Sequence, residues 1–174
     1  AGEQIGTFGA RKTGRSENTL QDLGHKITED IRSVSSLPDP VIYDLPRHAF
    51  FIQIGDFLDP LEDINAAFKQ FSAQSAGGFV VQVLDPAELE LPYNGRVLFR
   101  DKTHGDTYKI DNVASIRSAY RKRIENHNEA LHHLCKEHHW HHILHRTDQD
   151  ISATLAKIWA TISHEHFNIQ HGGG

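Results

Sequence analysis

The sequence predicts an α/β fold: a mainly parallel sheet with helices on both faces, in a Rossmann-type three-layer arrangement, plus a small β-hairpin appendage. Three observations lead there. Residues 49–54 (AFFIQI) and 79–84 (FVVQVL) are short, nearly continuous apolar runs, as expected of strands covered on both faces. Segments with helical apolar spacing alternate with the strand candidates through most of the chain. Residues 96–100 and 107–110 alternate apolar and polar side chains around KTHGD, the pattern of a hairpin with one wet face.

In chain order, residues 4–8 (QIGTF) form a short strand candidate, followed by a polar, basic loop at 10–16. Ser16 is placed to cap a first helix over 17–34, whose stripe is Leu20, Leu23, Ile27, Ile31 and Val34. Residues 35–47 contain three prolines and read as an ordered connector. The stretch 48–60 (HAFFIQIGDFLDP) follows and is predicted to supply the central strand, a loop at its carboxyl end and the start of a helix. Asp59 is the expected N-cap, with Pro60 in the first turn and a stripe of Leu61, Ile64, Phe68 and Phe71; Gly77-Gly78 would end that helix.

After the strand at 79–84, Asp85-Pro86-Ala87-Glu88 repeats the cap chemistry for a helix that Pro92 keeps short. The longest helix is expected over 112–137, with Val113, Ile116, Tyr120, Ile124, Leu131 and Leu134 as its stripe and His127 on the same face. Residues 142–144 are the last strand candidate. Asp148 or Asp150 caps a final helix whose Ile151, Leu155, Ile158 and Ile162 are expected to face inward. Residues 1–163 are read as one domain and 164–174 as a polar tail, a division consistent with a chain of 174 residues.

Composition excludes several classes. A net charge of -5 and a pI of about 6.3 argue against a general nucleic-acid binder, whose footprint is a basic patch. The basic clusters Arg11-Lys12 with Arg15 and Arg121-Lys122-Arg123 are flanked by acids and read as solvated surface. Cys135 is the sole cysteine, which rules out an intrachain disulfide and fits a reducing, cytoplasmic setting. No apolar run approaches the roughly 20 residues of a membrane span, and the first residues lack a signal-peptide pattern.

Four sequence patterns, IGDFLDP, VLDPAELELPYNGRVLFRD, SAYRKRIENH and LHRTD, with GEQIGTFGAR upstream, resemble the bacterial "domain of unknown function 58" family. The resemblance spans nearly the whole chain. It implies a von Willebrand factor A-like fold and a partnership with MoxR-type AAA ATPases. Domains of that kind hold a divalent cation such as Mg²⁺ through Asp-x-Ser-x-Ser after the first strand, a Thr from a second loop and an Asp from a third. Asp56 matches the third-loop Asp in position. Nothing here matches Asp-x-Ser-x-Ser, which the resemblance places upstream of Ala1. The chain then corresponds to the C-terminal portion of a member, lacking its first strand, with Asp56 the remnant of an incomplete cation site.

Asp56 and Asp59, at the carboxyl end of the first long strand, are the candidate binding residues. A loop carboxylate capping nearby N–H groups is the bland reading of Asp56. Seven of the 14 histidines fall within residues 132–145, and pairs four apart suit Zn²⁺ if the helix continues through them. Cys135 lies on a buried stripe and reads as a packed small side chain. Exposed aromatic residues on the hairpin and Pro92-Tyr93-Asn94-Gly95 could contact a partner. No G-x-S-x-G elbow, P-loop or dinucleotide fingerprint occurs. The function expected is a non-enzymatic protein-interaction module; the alternatives are a metal-dependent hydrolase using the His-rich corner 132–145, and a structural domain without a ligand.

Overall fold

The computed structural model describes residues 49–73, 75–100 and 106–171, together with Gln21 and His25, which are both helical. The strand candidate at 4–8, the rest of the first helix, the proline connector and the hairpin tip lie outside the described residues.

Among the described residues, three parallel strands form the main sheet: β1 (Ala49–Gly55), β2 (Ser75–Leu84) and, from the C-terminal part, β5 (Trp140–Arg146), in the order β1-β2-β5. Between β1 and β2 runs α1 (Leu61–Ser72). Between β2 and β5 come α2 (Pro86–Glu90), the antiparallel hairpin of β3 (Val97–Arg100) and β4 (Thr107–Ile110), and α3 (Val113–Glu137). The chain closes with α4 (Ile151–His171). The α/β class, the parallel sheet and the small hairpin are those the sequence predicts.

Register assigns the faces. Phe51, Gly78 and Trp140 are neighbours on one face, followed by Gln53, Val80 and His142, then Gly55, Gln82 and Leu144. Helices α1 and α3 cover this face. Phe51, Ile64, Phe68, Phe71, Val80, Leu131, Leu134, Cys135 and Trp140 form one buried cluster there. The ring of Trp140 is 4.8 Å from that of Phe68 and 6.2 Å from that of Phe71. On the opposite face, buried His145 bonds to buried Thr154 of α4 at 3.1 Å. Helices therefore sit on both faces.

Four expectations change. Among the described residues β2, not β1, is the central strand: Phe79, Val80 and Val81 are buried, whereas Ile52 is 44% and Ile54 71% exposed at the edge. Gly77 and Gly78 do not end α1, which stops at Ser72; both lie within β2. Gly78 is required by close approach, since a Cβ there would lie 3.0 Å from Trp140 and 3.3 Å from the Phe51 carbonyl oxygen. Asp59 does not cap α1, whose N-cap is Pro60 with no side-chain bond. Finally, Ile151 and Leu155 face outward. Helix α4 meets β5 through Thr154, and Ile158, Thr161 and Ile162 are half-buried on the same side. The row one position on, Leu155 and Trp159, is turned away. The backbone of α4 runs to His171.

Other local signals behave as expected. Asp85 closes a capping box with Glu88, and its side chain also accepts from the Ala87 N–H at 2.8 Å. Asp150 accepts from Ser152 N–H at the start of α4. Helix α3 ends at Glu137, and His139 then turns the chain with a left-handed φ of 58°.

Two stability outcomes follow from this packing. Gly78→Ala forces Trp140 or the Phe51 backbone to shift and should lower stability by about 1–3 kcal/mol, measured by urea unfolding. His139→Gly places an unhindered residue in the left-handed position after α3. Because the His139 side chain is exposed, it should raise stability by about 0.5–1 kcal/mol, seen as a higher melting temperature.

Candidate functional site

The three described strands of the main sheet end on the same edge because they are parallel, and ligands of open α/β sheets gather at that carboxyl edge. Three sets of side chains meet there.

The first is the loop after β1. Asp56 is exposed, and among the described residues its Oδ1 accepts only a long 3.5 Å bond from Leu58 N–H. The following residue, Phe57, is buried and has a left-handed φ of 51°, a strained state for a bulky residue. Packing holds it there: its ring is 6.4 Å from that of Phe68. A 2.7 Å bond between His127 Nε2 and the Phe57 carbonyl adds a polar clamp. The oxygen can only accept, so His127 donates from Nε2, which explains a histidine on an otherwise apolar stripe.

The second set is buried beneath that loop. Gln82, fully buried in β2, donates from Nε2 to the Asp56 carbonyl and to Asn128 Oδ1 of α3, each at 3.0 Å. Its Oε1 lies 3.1 Å from His142 Nε2 in β5. With both amide hydrogens committed, Gln82 must accept from His142, which places a hydrogen on His142 Nε2. One amide thus ties β2, β5, α3 and the loop after β1 together. Gln53 on the same face has no such fortune: both side-chain polar atoms are buried and unpaired.

The third set is a polar corner. Arg117 of α3 donates to the carbonyls of Leu91 and Tyr93 and to Asn94 Oδ1. Tyr120 donates to the Glu88 carbonyl at 2.7 Å, and Arg121 Nε to the Glu90 carbonyl at 3.0 Å. Arg146, at the end of β5, holds both oxygens of Asp148 at 3.0 Å and lies 3.4 Å from Glu90 Oε1. Thr147 donates to Asp85 Oδ2 at 2.8 Å. The bonds from Ala87 N–H and then Thr147 hold the Asp85 carboxyl below its usual range. Bonding to Asp148 raises Arg146. Between α2 and α3 the corner leaves a cleft of about 390 Å³, lined by the aliphatic Leu89 and Ile124 and the charged Glu90, Arg121, Glu125 and Arg146. Asn128 also reaches it, so the cleft adjoins the Gln82 bonds.

The His-rich segment does not act as a unit. His138 bridges Ser72 and Asn65 of α1 through its two ring nitrogens. His141 stacks on Phe79, and the rings of His132 and His142 are 5.8 Å apart. The turn at His138-His139 breaks the four-residue spacing of Cys135 with His139. Burial pushes the Cys135 thiol up to about 12, so it is a packed thiol rather than a nucleophile. Among the described residues, no three His, Cys, Asp or Glu side chains converge in a way that could hold a metal ion. Asp56 and Asp59 alone do not fit Mg²⁺, which needs about six oxygens in octahedral array. The long helices among the described residues also lack the apolar length to cross a membrane.

Sequence reading misses Gln82, Asn128 and Gln53, and takes Arg121 for a solvated charge. Its usable signal is the lone glutamine inside each of two apolar strands, since an amide in such a setting requires partners.

A family model described as "Protein of unknown function DUF58" matches residues 35–130. No curated protein and no solved structure matches the chain.

The buried imidazoles give a pH dependence. Burial lowers His138, and burial together with the neighbouring His132 brings His142 from 6.5 to about 4. The unfolded chain takes up these protons near pH 6.5, whereas folded His142 resists until about pH 4. Stability contributed by neutral His142 is therefore complete above the unfolded value and is lost as pH falls from 6.5 toward 4. Urea midpoints should decline across that window, and the decline should be shallower in His142→Gln.

Proposed function

The chain belongs to the DUF58 family, and from that premise we propose that it is a non-enzymatic protein-interaction module with a von Willebrand factor A-like fold that docks on a MoxR-type AAA ATPase. The observation that carries this reading is the polar corner. Part of the stretch with the most specific family resemblance, LDPAELELPYN within VLDPAELELPYNGRVLFRD, meets SAYRKR and HRTD there in space. Their side chains are spent on each other and on backbone carbonyls: Arg117, Tyr120 and Arg121 fasten the α2 loop, and Arg146, Thr147 and Asp148 fasten β5 to it. Bonds of this kind shape a rigid surface, and a pre-formed surface lowers the ordering cost of binding another protein.

The sheet supports the von Willebrand A-like assignment. Its parallel strands end on one edge, and Asp56 stands at the carboxyl end of β1, where that fold presents a cation ligand. Asp56 would supply a carboxylate oxygen to a divalent cation whose other ligands come from outside the described residues, and Asp59 stands near it as a further binding residue. The single buried thiol fits a reducing cytoplasm, where such a module would meet its ATPase.

Affinity chromatography checks the proposal directly. The tagged full chain should retain the MoxR-type ATPase encoded by the same cell, with recovery that differs between ATP and nucleotide-free buffer. Retention of no such ATPase in either condition, with the bait folded by circular dichroism, would remove the reading.

A further inference from the structure

The cleft between α2 and α3 has a charge arrangement that the polar corner does not use up. Arg146 is fully engaged: Nε and Nη2 hold Asp148, and Nη1 faces Glu90. Arg121 is not. Its Nε is given to the Glu90 carbonyl, and its two terminal nitrogens have no partner among the described residues. Glu125, four residues along the same face of α3, makes no ion pair among the described residues either. Four residues on a helix put these two groups side by side, with about 5–6 Å between their Cβ atoms. Asn128 spends its Oδ1 on Gln82, which leaves its amide N–H₂ to the cleft. Leu89 and Ile124, both half-buried, provide an aliphatic wall.

What remains is one cation, one anion, an amide donor and an apolar wall around a volume of about 390 Å³. The volume lies within the range of about 300–1,000 Å³ typical of ligand clefts. A bare anion would satisfy Arg121 but be repelled by Glu125 and Glu90. A bare cation would meet Arg121 in turn. The complementary occupant is itself neutral in sum, with a carboxylate and a cation about one helical turn apart and an aliphatic side chain between them.

We propose that this cleft binds a short segment of a partner protein carrying an acidic and a basic side chain about one helical turn apart, the acid on Arg121 and the base on Glu125, with an aliphatic residue between them against Leu89 and Ile124. The proposal rests on the interaction-module reading and names the chemistry of the partner at that surface. Exchange of charged pairs across an interface sets orientation and register. The buried Gln82 bonds behind Asn128 hold the floor of the cleft in place, so little ordering is needed on binding.

The test is a ¹⁵N NMR titration of the full chain with an acetylated, amidated peptide carrying Glu and Arg four residues apart with Leu between them. The Arg121 Nε–H and Asn128 side-chain amide signals should shift. Glu125→Gln and Arg121→Glu should each weaken binding by about tenfold or more, and both substitutions lie on exposed positions of α3. Exchanging both charges, Arg121→Glu with Glu125→Arg, should restore binding to a peptide with its own Glu and Arg exchanged. Equal binding of a peptide carrying Glu alone overturns the proposal in favour of a plain carboxylate site. Shifts confined to other surfaces, or affinity unchanged in both single variants, overturn it as well. Peptide binding without ATPase retention removes the module reading and leaves the cleft; retention of the ATPase without peptide binding does the reverse.

Discussion

Everything on the covered face of the sheet depends on the contact of Trp140 with the backbone of Gly78. A side chain at residue 78 would occupy the place of the indole. With it absent, Trp140 sits between β2 and the helices, near Phe51, Phe68, Phe71 and the imidazole of His138. That cluster seats α1 and the end of α3, and it fixes where α3 crosses the sheet. The rest of α3 then falls over the carboxyl edge, where His127 reaches the Phe57 carbonyl and Asn128 reaches Gln82. The polar bonds are consequences of the aromatic packing, and they in turn select one arrangement of the loops.

Two kinds of stabilisation divide the molecule. Near Trp140 the packing is aromatic and dry, and its energy scales with buried area. At the carboxyl edge the bonds run from side chains to backbone carbonyls, each worth about 0.5–1.5 kcal/mol net but costly to leave unmade. The second region is therefore held more by specificity than by strength. Gln53 marks the border: it lies on the covered face beside Val80, with an amide that has no partner. Such an amide costs about 1–3 kcal/mol, a penalty the aromatic cluster next to it must offset.

The sequence makes the fold class and most elements legible because their signals are local. Apolar runs mark β1 and β2, the capping box at Asp85 marks α2, and periodicity marks α3 to its final turn. What it conceals is tertiary. Gly77-Gly78 has the look of a helix stop, yet Gly78 serves a tryptophan more than sixty positions away. Ile151 and Leu155 have inward periodicity, yet the bond from Thr154 to His145 rotates α4 away from them. The candidate site is harder still. Asp56 is visible as a carboxylate at a strand end, but the three bonds of Gln82 join three elements and a loop that no local pattern connects. The VLDPAELELPYN stretch looks free of structural need, whereas Arg117, Tyr120 and Arg121 bond to its carbonyls one by one.

The outward rotation of α4 has an optical consequence. The chain has two tryptophans. Trp140 is 4% exposed in the aromatic cluster, and Trp159 is 73% exposed on the turned-out row of α4. Their indoles sit in opposite solvent environments, so a water-soluble quencher reaches one and not the other. The emission that survives quenching reports on the heart of the sheet, while the quenched component reports on whatever covers the outer face of the last helix.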